Sequence, residues 1–356
     1  MATRSEYFSD MIGNDALKRR FTKDVIDNSL SHAYILEGPR GSGRHKMALQ
    51  VAAAIECECK NDIESVDLFG NTTKSSIPCG KCKNCEKILG GKSPDIITVG
   101  LEDDRVTLGV ESIRNMKDNM FTAPNDLSIK VFIIEDADLM TEAAQNAFLL
   151  SLEEPPSYVL FFLICENSAN LLETVLSRAP TLRTQRINAD QMEKFLIEKD
   201  SRAAEIKESS PEEWQALLSV SQGSIGYALE LLDSGKRAKI FEYRNSAKEL
   251  ISLLSRKGSV NALNALSSFS KKRAEAIRQL SFLQYALRDL LLLIKSENAP
   301  LCFFEDRDSA AELATHFTAK VLFAIYDASI ITIDDLEAGA NVQLTLMNFL
   351  VNAGSL

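Results

Sequence analysis

Five of the seven cysteines fall between Cys57 and Cys85, and three of them, Cys79, Cys82 and Cys85, follow a C-x2-C-x2-C spacing around Gly80. Thiolates presented on tight turns at that spacing suit a tetrahedral metal ion, and four of them make a closed zinc site with no open position for catalysis. The fourth ligand is Cys57 or Cys59. Cys57 is preferred because it follows directly on the helical run ending Ala53-Ala54-Ile55-Glu56. An iron–sulfur cluster takes similar ligands, but no other electron-transfer feature accompanies them. An odd number of cysteines, with no secretory pattern in the opening residues MATRSEYFSD, argues against a disulfide framework. Lys81, Lys83, Lys87 and Lys92 lie in the same module, either as a solvated face or against phosphate.

A second constellation is the glycine loop. The apolar run 32–37 (HAYILE) leads into Gly38-Pro39-Arg40-Gly41-Ser42-Gly43, and a helical stretch, 46–55, follows. A strand, a Gly-x4-Gly loop and a helix N-terminus surround a phosphate with backbone N–H groups. A hydrolysing loop continues with Lys for the terminal phosphates and Ser or Thr for Mg²⁺. Here those positions hold Arg44 and His45. Arginine keeps the charge but not the compact ammonium group, and histidine has no hydroxyl to give the metal. Lys46 sits two positions late. Anion binding stays within the loop's chemistry; efficient hydrolysis is not expected, and ATP binding itself is in doubt.

The third is the acidic end of a buried strand, Val131-Phe132-Ile133-Ile134, followed by Glu135-Asp136-Ala137-Asp138. Phosphate-loop enzymes place an Asp there to organise Mg²⁺, with a Glu beside it to activate water. This chain has the two in reverse order, so the longer Glu135 displaces the metal and the shorter Asp136 falls short of the water.

The elements that must position these groups alternate strand and helix in the first half, the pattern of a parallel α/β sheet. Residues 95–99, 130–135 and 158–165 are near-continuous apolar runs, as in strands covered on both faces, and 181–187 is a weaker fifth strand. Between the third and fourth lies a helix, 141–154, which Thr141 caps and Pro155-Pro156 ends. From 188 the strand signal fades into short helices, including 191–199 and 211–219. Beyond Gly235 the chain is helical, with Ile277, Leu280, Leu283, Leu287, Leu290 and Ile294 at three- and four-residue steps along 272–295, and a last apolar helix at 342–351. The insertion 60–77 has no functional reading.

With 356 residues, 45% hydrophobic and 25% charged, the chain has enough material for two or three cores. A formal net charge of −10 argues against a protein whose whole surface grips nucleic acid. The apolar runs fall far short of the ~20 residues that span a bilayer, so a cytoplasmic location and no membrane contact are expected.

Together these pieces resemble the bacterial clamp-loader subunits of gamma/tau and delta-prime type, AAA+ proteins of the DNA polymerase III holoenzyme. The likeness runs from about Phe8 to Ile187. It is carried by His32-Ala33-Tyr34 before the loop, by the cysteine module after the first helix, and by Asp136 to Thr141. Ala144 to Leu150, Leu152-Glu153-Glu154-Pro155-Pro156 and Leu171 to Arg178 continue it, with Ala179 where the family's Ser-Arg-Cys has cysteine. Beyond 187 only Gly223-Ser224 and a helical tail fit.

The resemblance implies a RecA-like AAA+ domain over 1–187 with a zinc module at about 57–85, a helical lid over 188–235 and an all-α collar over 236–356. It implies that Arg178 is a finger inserted into a neighbouring subunit's ATP site, where an arginine stabilises transition-state charge. Arg44, His45, Glu135 and Asp136 fall where the gamma/tau motor needs Lys, Thr, Asp and Glu, and Gly226 stands where its lid carries a nucleotide-sensing Arg. The expectation is therefore a delta-prime-like, ATPase-inactive member of a heteropentamer. Gamma/tau and delta are the implied partners, with the sliding clamp and primer-template DNA reached through the complex. The alternatives are an active gamma/tau-like ATPase and a zinc-dependent nucleic-acid-binding module, the second opposed by the acidic balance.

Overall fold

The apolar runs form strands whose side chains alternate between two separate cores. In β1 (Ala33–Glu37), Tyr34 and Leu36 face one core while Ala33 and Ile35 face the other. The same alternation divides Val131 and Ile133 from Phe132 and Ile134, and Phe162 and Ile164 from Phe161 and Leu163. A sheet covered on both faces has this pattern. The computed structural model describes residues 7–60, 64–66, 72–74, 76–101, 107–255, 269–296, 299, 301–304 and 306–354. Part of the insertion 60–77 therefore lies outside the described residues.

In chain order the first unit holds α1 (Asp15–Ile26), β1, α2 (Arg44–Glu56), a small hairpin of β2 (Glu64–Val66) and β3 (Thr72–Lys74), and α3 (Lys83–Leu89). It continues with β4 (Ile96–Val99), α4 (Val110–Met120), β5 (Lys130–Ile134), α5 (Glu142–Glu153), β6 (Val159–Cys165), α6 (Glu173–Leu176) and β7 (Thr181–Arg183). The five-stranded sheet has the order β4-β5-β6-β1-β7, all parallel. Residues of α2 and α3 pack in one core, and those of α4, α5 and α6 in the other. Phe161, fully buried, meets Phe132 at 5.5 Å and Phe148 edge-on at 5.2 Å between ring centres. Burying each such ring contributes about 1.5–3 kcal/mol. This is the RecA-like parallel α/β sheet expected from the sequence. Its order brings the C-terminal ends of β1, β5 and β6, and so the glycine loop and the acidic turn, to one edge.

Helices follow: α7 (Ala189–Lys199), α8 (Ser201–Ser209), α9 (Pro211–Ser221), α10 (Ile225–Leu231), α11 (Ser234–Ser255), α12 (Arg273–Lys295), α13 (Arg307–Thr315), α14 (Ala319–Glu337) and α15 (Val342–Gly354). Contacts divide the chain into Met1–Phe195 with Gly223–Tyr227, and Leu196–Gln222 with Ala228–Leu356. In the second unit the stripe read from the sequence of α12 is the core: Leu280, Leu283, Leu287 and Leu290 are wholly buried, whereas Ile294 is exposed. The buried Asp289 carboxylate accepts N–H bonds from Cys302 and Phe303 at 2.9 and 2.7 Å and pins the following segment to α12. Phe323, Ile331, Leu344 and Met347 of α14 and α15 are exposed. Among the described residues no single helix is long and apolar enough to cross a membrane.

Candidate functional site

The glycine loop is shaped by close backbone approaches. A Cβ on Gly38 would lie 2.0 Å from Thr184 Oγ1. Gly41 has φ +73°, and a Cβ there would lie 1.9 Å from Ser224 Oγ, so only glycine fits. Ser42 and Thr184 share a hydroxyl hydrogen bond of 2.7 Å. Asn14 clamps the loop from the N-terminal side: its Nδ2 donates to Ser42 O at 3.2 Å and its Oδ1 accepts from Gln185 N at 2.7 Å. Gly226 N donates to Gly41 O at 3.4 Å, so backbone, not a sensing cation, meets the loop there.

The two residues after the loop, at the N-terminus of α2, behave differently from each other. Arg44 is 7% exposed, and its Nη1 is enclosed without a hydrogen-bond partner. His45 instead reaches across to β5, where its Nδ1 hydrogen-bonds with Glu135 Oε1. Asp136, in a left-handed turn at φ +48°, accepts from Arg40 Nη2 at 3.3 Å, and Arg40 Nε donates to Glu166 at 2.6 Å. Asp138 accepts from the amides of Glu166 and Asn167, both at 3.1 Å, tying the ends of β5 and β6 together. Lys46 donates to Asp10 O at 2.9 Å and serves the N-terminal segment. Mg²⁺ asks for oxygen donors in near-octahedral geometry, a hydroxyl among them. An imidazole paired with the carboxylate that would face the ion is a donor set that does not fit magnesium.

Arg178 lies just beyond the short helix α6. Its Nη1 donates to Thr174 O at 2.9 Å and to Ser177 Oγ at 3.3 Å, capping the helix C-terminus, and its Nη2 pairs with Glu153 of α5 at 2.6 Å. The segment leading to it is stapled by a residue to which sequence reasoning gave no role of its own. Gln145 is buried in α5; its Nε2 donates to Met140 O and Asn170 O, both at 3.2 Å, and its Oε1 accepts from Leu172 N at 2.7 Å. The available signal was an amide placed on the Ala- and Phe-bearing face of an apolar helix.

At the far end of α2 the sulfurs of Cys57, Cys79, Cys82 and Cys85 lie within 4.8 Å of one another. Cys79 and Cys85 are 3.9 Å apart, close to the ~3.8 Å edge of a tetrahedron with 2.3 Å metal–sulfur bonds. Cys79 Sγ accepts from Cys82 N at 3.3 Å, and Cys82 Sγ accepts from Cys85 N at 3.5 Å. Burial alone would raise the Cys79 thiol, but amides of Lys81 and Cys82 outweigh it and bring it down to about 6. Burial pushes the Cys57 and Cys85 thiols the other way, but a half-buried set of this shape can hold a metal ion. Cys82 caps α3 and Cys85 sits in its first turn, so part of the motif expected on loop turns is helical. Lys87 pairs with Asp126 at 2.7 Å.

Residues 13–188 match the family described as DNA polymerase III, delta subunit, and residues 241–354 match DNA polymerase III, delta subunit, C terminal. The chain belongs to the DNA polymerase III clamp-loader subunit family. Within that family, subunit tau of Bacillus subtilis (strain 168) is 29% identical over 234 residues, 65% of this chain and 38% of that protein. Subunit tau of Escherichia coli (strain K12) is 28% identical over 65% of this chain and 33% of its own. Subunit delta-prime of Bacillus subtilis is 33% identical over 176 residues, 49% of each protein. The chain thus spans about a third of the tau proteins' length and about half of the delta-prime protein's.

Proposed function

We propose that this clamp-loader subunit is of delta-prime type: a non-hydrolysing member of a heteropentamer that supplies Arg178 to the ATP site of a neighbouring gamma/tau subunit. The observation that carries the reading is the hydrogen bond between His45 and Glu135. The two side chains that an active site commits to magnesium are here committed to each other, and Asp136 is held by Arg40. The chain divides into an AAA+ domain over 1–187, a lid over 188–235 and a collar over 236–356, with the exposed apolar residues of α14 and α15 facing partner subunits. The four cysteines hold a structural zinc ion, which ties the end of α2 to α3. Gamma/tau and delta are the partners, and the cytoplasmic assembly places the sliding clamp on primer-template DNA.

Arg178 suits a finger because its present contacts are weak. Exposed ion pairs contribute only about 0–1 kcal/mol, so exchanging Glu153 for a transferring phosphate costs little. The test is a complex reconstituted with gamma/tau, delta, clamp and primed DNA. Arg178→Ala is expected to leave assembly intact while lowering turnover at the completed site by roughly 10³-fold, with clamp loading lost. Unchanged DNA-stimulated turnover and loading would remove the finger. Magnesium-dependent hydrolysis by the isolated chain would replace the inactive-site reading with a motor subunit.

A further inference from the structure

Arg44 is a buried cation to which the described residues offer no ion-pair partner. A guanidinium stays protonated, and a buried charge is tolerated when it is paired and hydrogen-bonded. Arg44 is more than nine-tenths buried, with Nη1 enclosed and unpartnered, and no carboxylate of the described residues forms an ion pair with it. The acids around the loop are engaged elsewhere. Glu37 accepts from Ser168 Oγ at 2.9 Å and Arg183 Nε at 3.2 Å. Asp138 is taken by two backbone amides, Asp136 by Arg40 and Glu135 by His45. Among the described residues Arg44 is thus left without an anionic partner, beside a glycine loop that enters a thirteen-residue helix at its N-terminus.

That geometry selects phosphate, and the His45–Glu135 pair excludes the usual metal. We infer that the loop binds the phosphate chain of a nucleotide without a divalent cation, Arg44 supplying the positive charge that lysine and magnesium share in a hydrolysing loop. This deepens the reading of the loop as a degenerate nucleotide site and rests on it. It makes phosphate binding a conformational support of the subunit, uncoupled from turnover.

Titration of the full chain with ATP, ADP and pyrophosphate, each in EDTA and in excess Mg²⁺, tests it. Saturable binding is expected in EDTA, with an affinity changed no more than about twofold by magnesium. Arg44→Met, close in volume, is expected to lower affinity roughly tenfold or more. Without ligand that variant should melt no lower than the parent, because it removes an unpaired buried charge; with ligand only the parent should gain. Equal binding of pyrophosphate and ATP means that the chain of phosphates alone is read, and preference for ATP or ADP means that the nucleoside is read too; both sustain the inference. No saturation at millimolar ligand in EDTA, strict dependence on magnesium, or parent-like binding by Arg44→Met overturns it. The effect of Arg178→Ala in the reconstituted complex is independent of these outcomes, so the subunit's role survives or falls separately.

Discussion

The two ends of α2 carry the two sites of the first unit, about 20 Å apart along thirteen residues, and they are built on opposite principles. At the C-terminal end Cys57 completes a set of four sulfurs that can hold a metal ion. At the N-terminal end the loop keeps its glycines and a cation, while His45 hydrogen-bonds across to Glu135 just after β5. One end is, on the reading proposed above, a structural device. The other, on the same reading, is a nucleotide site without turnover, and it holds a buried Arg44 whose Nη1 has no hydrogen-bond partner. The comparison predicts that substitutions at the first end act on stability, and at the second on ligand affinity.

The largest effect belongs to the cysteines. Cys85→Ser, or removal of the metal by a strong chelator, is expected to cost about 4 kcal/mol or more and lower Tm by roughly 10 °C. Elemental analysis should find one zinc per parent chain and none in the variant. A metal-free parent with the same Tm as the loaded protein would break the comparison at this end.

Asp95 gives a scale for a hydrogen-bonded anchor without metal. Buried at the start of β4, it accepts from Asn125 and Asp126 amides at 2.7 Å and from Leu127 at 3.0 Å. Burial opposes its charge, but these donors and Lys130 outweigh it and hold the carboxyl below its ordinary value. A folded pKa below the unfolded ~3.9 contributes stability that is full above about pH 4 and is lost as pH falls through the folded value. Asp95→Asn should cost about 2–3 kcal/mol near neutral pH. Its urea midpoint should also fall less steeply than the parent's between about pH 5 and pH 2. Parallel slopes would show that Asp95 does not carry the acid sensitivity.

Gln145 tests whether the position of Arg178, the proposed finger, is structural or incidental. Gln145→Leu leaves Leu172 N, Met140 O and Asn170 O without their partner and is expected to cost about 2 kcal/mol. In the reconstituted complex it should also lower turnover where a neutral surface change on α5 does not. Retained turnover at reduced stability would limit Gln145 to packing.

Local patterns were legible and long-range pairs were not. The continuous runs ending at Ile134 and Cys165, and the cap at Thr141, whose hydroxyl accepts from Ala144 N at 3.2 Å, could be read because each depends on neighbours in sequence. The weak strand 181–187 shortens to Thr181–Arg183. Thr184 N still reaches Glu37 O, but Gln185 N turns to Asn14. Helix α4 went unread although Ile113, Met116 and Met120 repeat at helical steps. Helix α3 had no such signal, since Lys83, Asn84, Glu86 and Lys87 leave only Cys85 and Ile88 buried. At the loop, the exchange of lysine and hydroxyl for Arg44 and His45 was plain. What they do instead depends on Glu135, ninety residues away, and on carboxylates already engaged, which no local pattern encodes. Arg178's link to Glu153 is of the same kind.

The smallest stability effect is expected at His45, and it decides the comparison. The pair with Glu135 joins α2 to β5, but both side chains are partly exposed, at 42% and 30%. Solvent screens such a pair, so His45→Ala should cost less than about 1 kcal/mol and leave the chelator-sensitive Tm step unchanged. It frees Glu135 without supplying a hydroxyl, so magnesium-dependent hydrolysis should not appear. His45→Thr with Glu135→Asp restores two oxygen donors and should make nucleotide affinity magnesium-sensitive. A loss of Tm at His45→Ala as large as that of Asp95→Asn would make the pair a structural brace. The loop end of α2 would then be built like the cysteine end, for stability, and its departures from a hydrolysing loop would need no functional account.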